Sequence, residues 1–156
     1  MRMFKAALAG AAGSLLMFLL MMVGIKGLHV APFNVPPSAA FLIKLGITAK
    51  PLALLVHFGY GMFWSAVLVA IFGERTDIPK ALGLAGSLWL FMMIVYSPLI
   101  GWGVFGVGGA GHLLPPGSPL HLGPAPKYIV ATLLLHVVYG LTIGWLDAKI
   151  VAGPVR

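Results

Sequence analysis

The sequence predicts an all-α integral membrane protein, a four-helix bundle made of two parallel two-helix repeats. Three observations carry that expectation. Hydrophobic residues make up 60% of the 156 positions and charged ones only 8%, against about 25% charged in a soluble domain. The apolar residues gather into four runs, at about 5–26, 51–72, 80–101 and 128–150, each near the roughly 20 residues that cross a bilayer as a helix. A histidine followed by a tyrosine and a glycine occurs twice within apolar segments, as His57-Phe58-Gly59-Tyr60-Gly61 and His136-Val137-Val138-Tyr139-Gly140. The length suits a single transmembrane domain covering 1–156.

Each element follows from local signals. Arg2 and Lys5 precede the first run, which is longer than the roughly 7–15 apolar residues of a signal peptide and lacks a small-x-small cleavage site. It is expected to stay as the first transmembrane helix. A loop with Pro32, Asn34, Pro36, Pro37 and Gly46 follows, and its apolar patch, Ala39 to Ile43, suits the membrane interface. Lys50-Pro51 opens the second helix. After the polar turn Gly73 to Asp77, Thr76 or Asp77 can cap the third, with Pro79 tolerated in its first turn. Pro98 is expected to bend or end that helix. Residues 102–126 are rich in Gly and Pro but poor in charge; that composition fits an ordered loop packed on the bundle better than a solvated linker. The fourth helix leads into a short tail, 151–156.

Composition also narrows function. The net charge of +7 comes from ten cationic residues scattered around apolar segments, which suits topology and contact with anionic lipid, not nucleic acid. With no cysteine, disulfides, iron–sulfur sites and thiolate metal sites are excluded. Arg2, Lys5, Arg75, Lys80, Lys149 and Arg156 fall on one side of the four segments, and Lys26, Lys44, Lys50 and Lys127 on the other. The excess places both termini in the cytoplasm.

The second half repeats the first. Ala12-Gly13-Ser14-Leu15 recurs as Ala85-Gly86-Ser87-Leu88, Pro36-Pro37 as Pro115-Pro116, and the His-x-x-Tyr-Gly motif as described. Repeat 1 covers about 4–73 and repeat 2 about 80–152. Two helices per unit make the duplication parallel, so His57 and His136 are expected at matched depth, roughly 10–14 Å below the outer interface. Gly10, Gly13, Ser14, Gly83, Gly86 and Ser87 give small-x-x-small spacings expected to bring helices close.

At helical spacing, positions i, i+3 and i+4 share a face. His57, Tyr60 and Gly61 therefore form one stripe, and His136, Tyr139 and Gly140 another. An ionisable side chain within hydrocarbon belongs in the bundle interior, and the glycine beside each imidazole leaves a flat space for a neighbouring helix or a planar ligand. Three uses are open. The histidines can each donate to a carbonyl or side chain of another helix; they can be the axial ligands of one b-type haem; or they can line a path for a proton, metal ion or small polar solute. Other candidates are weaker. His29, His112 and His121 read as solvated loop residues, Met17 and Met21 as packing, and Trp102 and Tyr128 as interfacial anchors. Asp147 is expected to pair with Lys149 or Arg75. No catalytic residue and no metal site stand out.

His57-Phe58-Gly59-Tyr60-Gly61, the segment from Gly83 to Trp89 with Tyr96 and Pro98, and His136 to Gly140 resemble a group of small bacterial and archaeal membrane proteins of the YagU-like type. The resemblance implies four transmembrane helices in the inner, cytoplasmic membrane and brings no catalytic residue with it. The expected role is a non-enzymatic accessory or assembly subunit. Its expected partners are the lipid bilayer and a larger membrane complex or further copies of itself. The alternatives are the haem electron carrier and the solute, metal or proton path.

Overall fold

The structure, a computed structural model, describes residues 1–150. The tail from Val151, and with it the Arg156 charge used for topology, lies outside the described residues. Four helices are long and apolar enough to cross a membrane: Arg2–Gly27, Lys50–Arg75, Ile78–Ile100 and Ala125–Ile150.

The first long helix is α1, Arg2–Met22, which widens into a π turn over Val23–Gly27. The apolar patch expected at the interface forms a short helix, α2, Pro37–Lys44, with Pro37 in its first turn. Helix α3, Lys50–Phe72, has Pro51 in its first turn and stops at Gly73, whose φ of 57° favours a residue without Cβ. Helix α4, Ile78–Phe91, is capped by Asp77, whose carboxylate accepts from the Lys80 amide at 3.0 Å.

The third long helix does not run through in one geometry. A π segment, Met92–Tyr96, separates α4 from α5, Ser97–Ile100. Pro98 lacks the N–H that would close on the preceding turn, and the wider winding absorbs that loss. The freed Met93 carbonyl accepts instead from the Phe105 amide at 3.0 Å. Phe105 sits at the tip of a hairpin between β1, Gly103–Val104, and β2, Val107–Gly108. Phe105 and Gly106 both have positive φ, 52° and 71°, as the tight turn of a two-residue hairpin requires. The long loop is therefore folded back onto the wide part of the third helix. Helix α6, Ala125–Ile150, completes the chain.

Helix α1 packs on both α3 and α6, and α6 packs on α4, while α3 and α4 barely touch. The small residues of α1 allow this. A Cβ on Gly10 would lie 2.8 Å from the Met62 Cα, and one on Gly13 would lie 2.9 Å from the Tyr139 ring. The corresponding stripe of α4 does not make the close contact expected of it. Gly83 and Gly86 have no neighbour within 4 Å of a Cβ position, and Ser87 is exposed and bonded back to the Gly83 carbonyl. Ala81, Ala85 and Leu88 face α6, and by helical rotation the Gly83–Ser87 stripe then falls on the far side.

At one end the two long loops clasp each other. Phe33 bridges to Leu122, the Gly123 amide donates to the Pro32 carbonyl at 2.7 Å, and Asn34 donates to the carbonyls of Pro116 and Ser118. Trp102 and Tyr128, expected as interfacial anchors, are both 0% exposed. They form an aromatic cluster with Phe33, with ring centroids 5.5–6.3 Å apart. Their polar tips are satisfied inside, Trp102 by the Leu120 carbonyl and Tyr128 by Ser97. The loop carries enough apolar surface to build its own core, so these rings turn inward. At the other end, Arg2 pairs with Glu74 at 2.6 Å, Lys5 donates to the Ile150 carbonyl, and Lys80 pairs with Asp77.

Candidate functional site

The two motif histidines are held differently. His57 of α3 donates its Nε2 hydrogen to the Ser14 carbonyl of α1 at 3.0 Å. His136 of α6 donates from Nδ1 to the Thr132 carbonyl of its own helix at 2.8 Å. A carbonyl only accepts, so these nitrogens carry the protons and each neutral ring keeps one lone-pair nitrogen. In its neutral form each imidazole thus presents one acceptor.

The motif glycines admit helices. A Cβ on Gly61 would run into the Ser14 hydroxyl of α1, and one on Gly140 would lie 2.9 Å from the Ala85 Cβ of α4. Each glycine therefore seats its helix against the preceding long helix. The tyrosines diverge. Tyr139 is buried and donates to the Gly61 carbonyl at 2.6 Å, crossing from α6 to α3. Tyr60 is 44% exposed and stacks edge-on against Trp64 of its own helix.

Between the four long helices lies a cavity of about 150 Å³. Its polar lining includes His57, Tyr60, Tyr96, His136 and Tyr139, with the hydroxyls of Ser14 and Thr132, and the rest is mostly apolar, including Met17, Leu88 and Leu135. Pro37 and Ser38 of α2 also line it. Tyr60 and Phe91, each about half exposed, stand at its rim where α3 and α4 draw apart. The cavity therefore opens sideways between those helices. The structure brings five of the six motif residues together here, His57, Tyr60, Gly61, His136 and Tyr139, while Gly140 is turned to α4.

The cavity is small for a haem. It falls below the roughly 300 Å³ at which pockets for drug-sized ligands begin, and ligation through His57 Nε2 would break its bond to Ser14. Its volume matches a single aromatic ring, since an apolar cavity of about 150 Å³ holds benzene.

A feature that the sequence reading missed runs the length of α6. Tyr128, Thr132, His136, Tyr139 and Asp147 are all buried and, by helical spacing, share one face. They extend over roughly 28 Å at about 1.5 Å per residue. Thr132 ties this face to α4 by accepting from the Trp89 indole at 3.2 Å. The spacing of these polar residues at 128, 132, 136, 139 and 147 is its signal in the sequence.

Asp147 departs from its expected pairing. It is 0% exposed, and its Oδ2 lies 3.0 Å from the Ser65 hydroxyl of α3. Ser65 in turn donates to the Ala6 carbonyl of α1 at 2.7 Å. Among the described residues, Asp147 Oδ1 has no partner. Lys149 instead lies over the Trp145 ring at 4.0 Å, and Arg75 makes no ion pair with Asp147. Residues two apart point to different sides of a helix, which keeps Lys149 away.

Two of the three loop histidines are also engaged, while His29 is exposed. His112 donates to the Gly106 carbonyl at 2.6 Å and His121 to the Leu114 carbonyl at 2.9 Å, so both brace the folded loop. Among the described residues, no three His, Asp or Glu side chains gather as a metal site would require. No family model, no curated protein and no solved structure matches the chain.

Proposed function

We propose that the chain is a multi-pass membrane protein that binds a small, mostly apolar molecule from the bilayer without converting it. The observation that carries this reading is the cavity of about 150 Å³. It is lined by both motif histidines and opens between α3 and α4. The ligand class follows from the lining. A single ring fits the volume, a hydroxyl or N–H finds an acceptor in a neutral histidine, and an alkyl tail can leave through the lateral opening. An alkylphenol has all three properties. In this reading the two halves are parallel repeats in the inner membrane, with both termini cytoplasmic. The six-to-four distribution of cationic residues supports the orientation.

Photolabelling tests the reading. Protein in phospholipid vesicles is irradiated with a diazirine-bearing alkylphenol. Labels concentrated on cavity residues, competed by unlabelled alkylphenol and lost in Leu135→Phe, are expected. Labels spread evenly over lipid-facing side chains, with no competition, would remove it.

A second reading, an accessory or assembly subunit in a larger complex or a homo-oligomer, is favoured by the open Gly83, Gly86 and Ser87 face of α4. Small residues on an outward face let another helix approach closely. Gentle solubilisation tests it, and a strictly monomeric protein with no partner would exclude it.

A further inference from the structure

The structure assigns Asp147, Ser65 and the Ala6 carbonyl to a proton-binding site, with Asp147 carried as the neutral acid. Hydrogen-bond arithmetic carries the inference. The Ser65 hydroxyl has one hydrogen and two oxygen neighbours, the Ala6 carbonyl at 2.7 Å and Asp147 Oδ2 at 3.0 Å. A carbonyl cannot donate, so the Ser65 hydrogen goes to Ala6. The contact with Asp147 then needs a hydrogen from Asp147 itself. A protonated carboxyl supplies it, giving the chain Asp147 Oδ2–H to Ser65 Oγ–H to Ala6 O. A carboxylate there would instead compete with Ala6 for one hydrogen while its second oxygen, buried, had no partner among the described residues.

Among the described residues, no cationic side chain at this end of the fold pairs with Asp147. On α1, Arg2 holds Glu74 and Lys5 holds the Ile150 carbonyl. Beyond α3, Arg75 makes no ion pair with Asp147, and its carbonyl accepts from Lys80. At the start of α4, Lys80 also pairs with Asp77. On α6 itself, Lys149 lies over Trp145, and the Tyr139 hydroxyl points to Gly61. An unpaired carboxylate in apolar surroundings is costly and tends to take a proton.

Release has a structural consequence. The Asp147 O–H bond breaks, the proton passes to water at the end of the fold that carries Arg2 and Lys5, and the new carboxylate draws the Ser65 hydrogen away from Ala6. That removes the side-chain bond from Ser65 to α1 and leaves the Ala6 carbonyl with its intrahelical partner alone. Proton release thus loosens the junction of α1, α3 and α6. The site stands apart from the cavity, because Asp147, Ser65 and Ala6 do not line it.

Infrared spectroscopy of the full chain in phospholipid vesicles tests the proposal. The sequence has only three acidic side chains, and Glu74 and Asp77 are paired with cations. A carboxylic-acid C=O band is expected near neutral pH. It should be absent in Asp147→Asn, displaced in Ser65→Ala, and lost reversibly as pH rises, with a midpoint above the usual carboxyl value of about 4. If Asp147→Asn fails to fold, Glu74→Gln with Asp77→Asn leaves Asp147 as the sole acidic side chain and should keep the band. Absence of an acid band near neutral pH overturns the proposal, as does a band that never responds to alkali. Alkylphenol labelling of the cavity is unaffected by either outcome, so the two readings fail separately.

Discussion

The Tyr139 hydroxyl donates to the Gly61 carbonyl at 2.6 Å, joining the tyrosine of the second motif to the glycine of the first. This bond links α6 to α3 across α1, the helix both pack against. Both ends are buried, so the carbonyl has no water to fall back on. Tyr139→Phe removes this second bond from a carbonyl that keeps its helical partner, and is expected to destabilise the fold by about 0.5–1.5 kcal/mol. Thermal unfolding in a mild detergent measures the loss, and an unchanged midpoint would mean that the bond contributes nothing.

Glycine substitutions separate seats from open faces. Gly61→Ala drives a methyl into the Ser14 hydroxyl and is expected to cost about 1–3 kcal/mol, as overpacking does. Adding Ser14→Ala should restore much of that loss. Gly86→Ala meets nothing within 4 Å and is expected to stabilise by about 0.5–1 kcal/mol through helix propensity. Denaturant titration of the three variants ranks them.

Two tryptophans distinguish a buried loop core from a surface anchor. Trp102→Ala empties a 0% exposed site and removes the donor to Leu120, with an expected cost of about 3–5 kcal/mol. Trp145 is 50% exposed, and Trp145→Ala should cost clearly less. Equal losses would restore the anchor role for Trp102. Unfolding followed by circular dichroism gives both values.

Asp77 sets an acid limit on α4. Its hydrogen bond from the Lys80 side chain, with a further one from the Lys80 amide, holds the carboxyl below its ordinary value. A group lowered in the folded state contributes stability above its unfolded pKa, near about 3.9, and loses it as pH falls through the folded value. The unfolding midpoint of the wild type should therefore drop on acidification below about pH 4. Asp77→Asn keeps a capping oxygen but cannot titrate, so its midpoint should drop less over the same range. Identical acid profiles would contradict the assignment.

The four long helices were legible because apolar runs near 20 residues have few other solutions, and the breakers at Pro51, Gly73 and Gly101 sit at or near their ends. The motif pointed to the interior and to a cavity. Its chemistry was less legible, because hydrogen-bond partners depend on rotation about each helix axis. That rotation turned Gly83 and Ser87 outward and put Asp147 on Ser65 instead of Lys149. The folding of residues 102–124 around Trp102 was also hidden, because contacts between two distant loops leave no periodic signal. The π segment at Met92–Tyr96 had only Pro98 to mark it.

The most direct measurement is nitrogen NMR of ¹⁵N-histidine-labelled protein in lipid nanodiscs, titrated with an alkylphenol. Of the five histidines, His57 and His136, assigned by substitution, are expected to be neutral. One or both lone-pair nitrogens should shift saturably as the phenol binds, and the shift should vanish in Leu135→Phe. Resonances that stay fixed, or that drift in proportion to phenol with no saturation, would contradict a binding cavity between the two histidines.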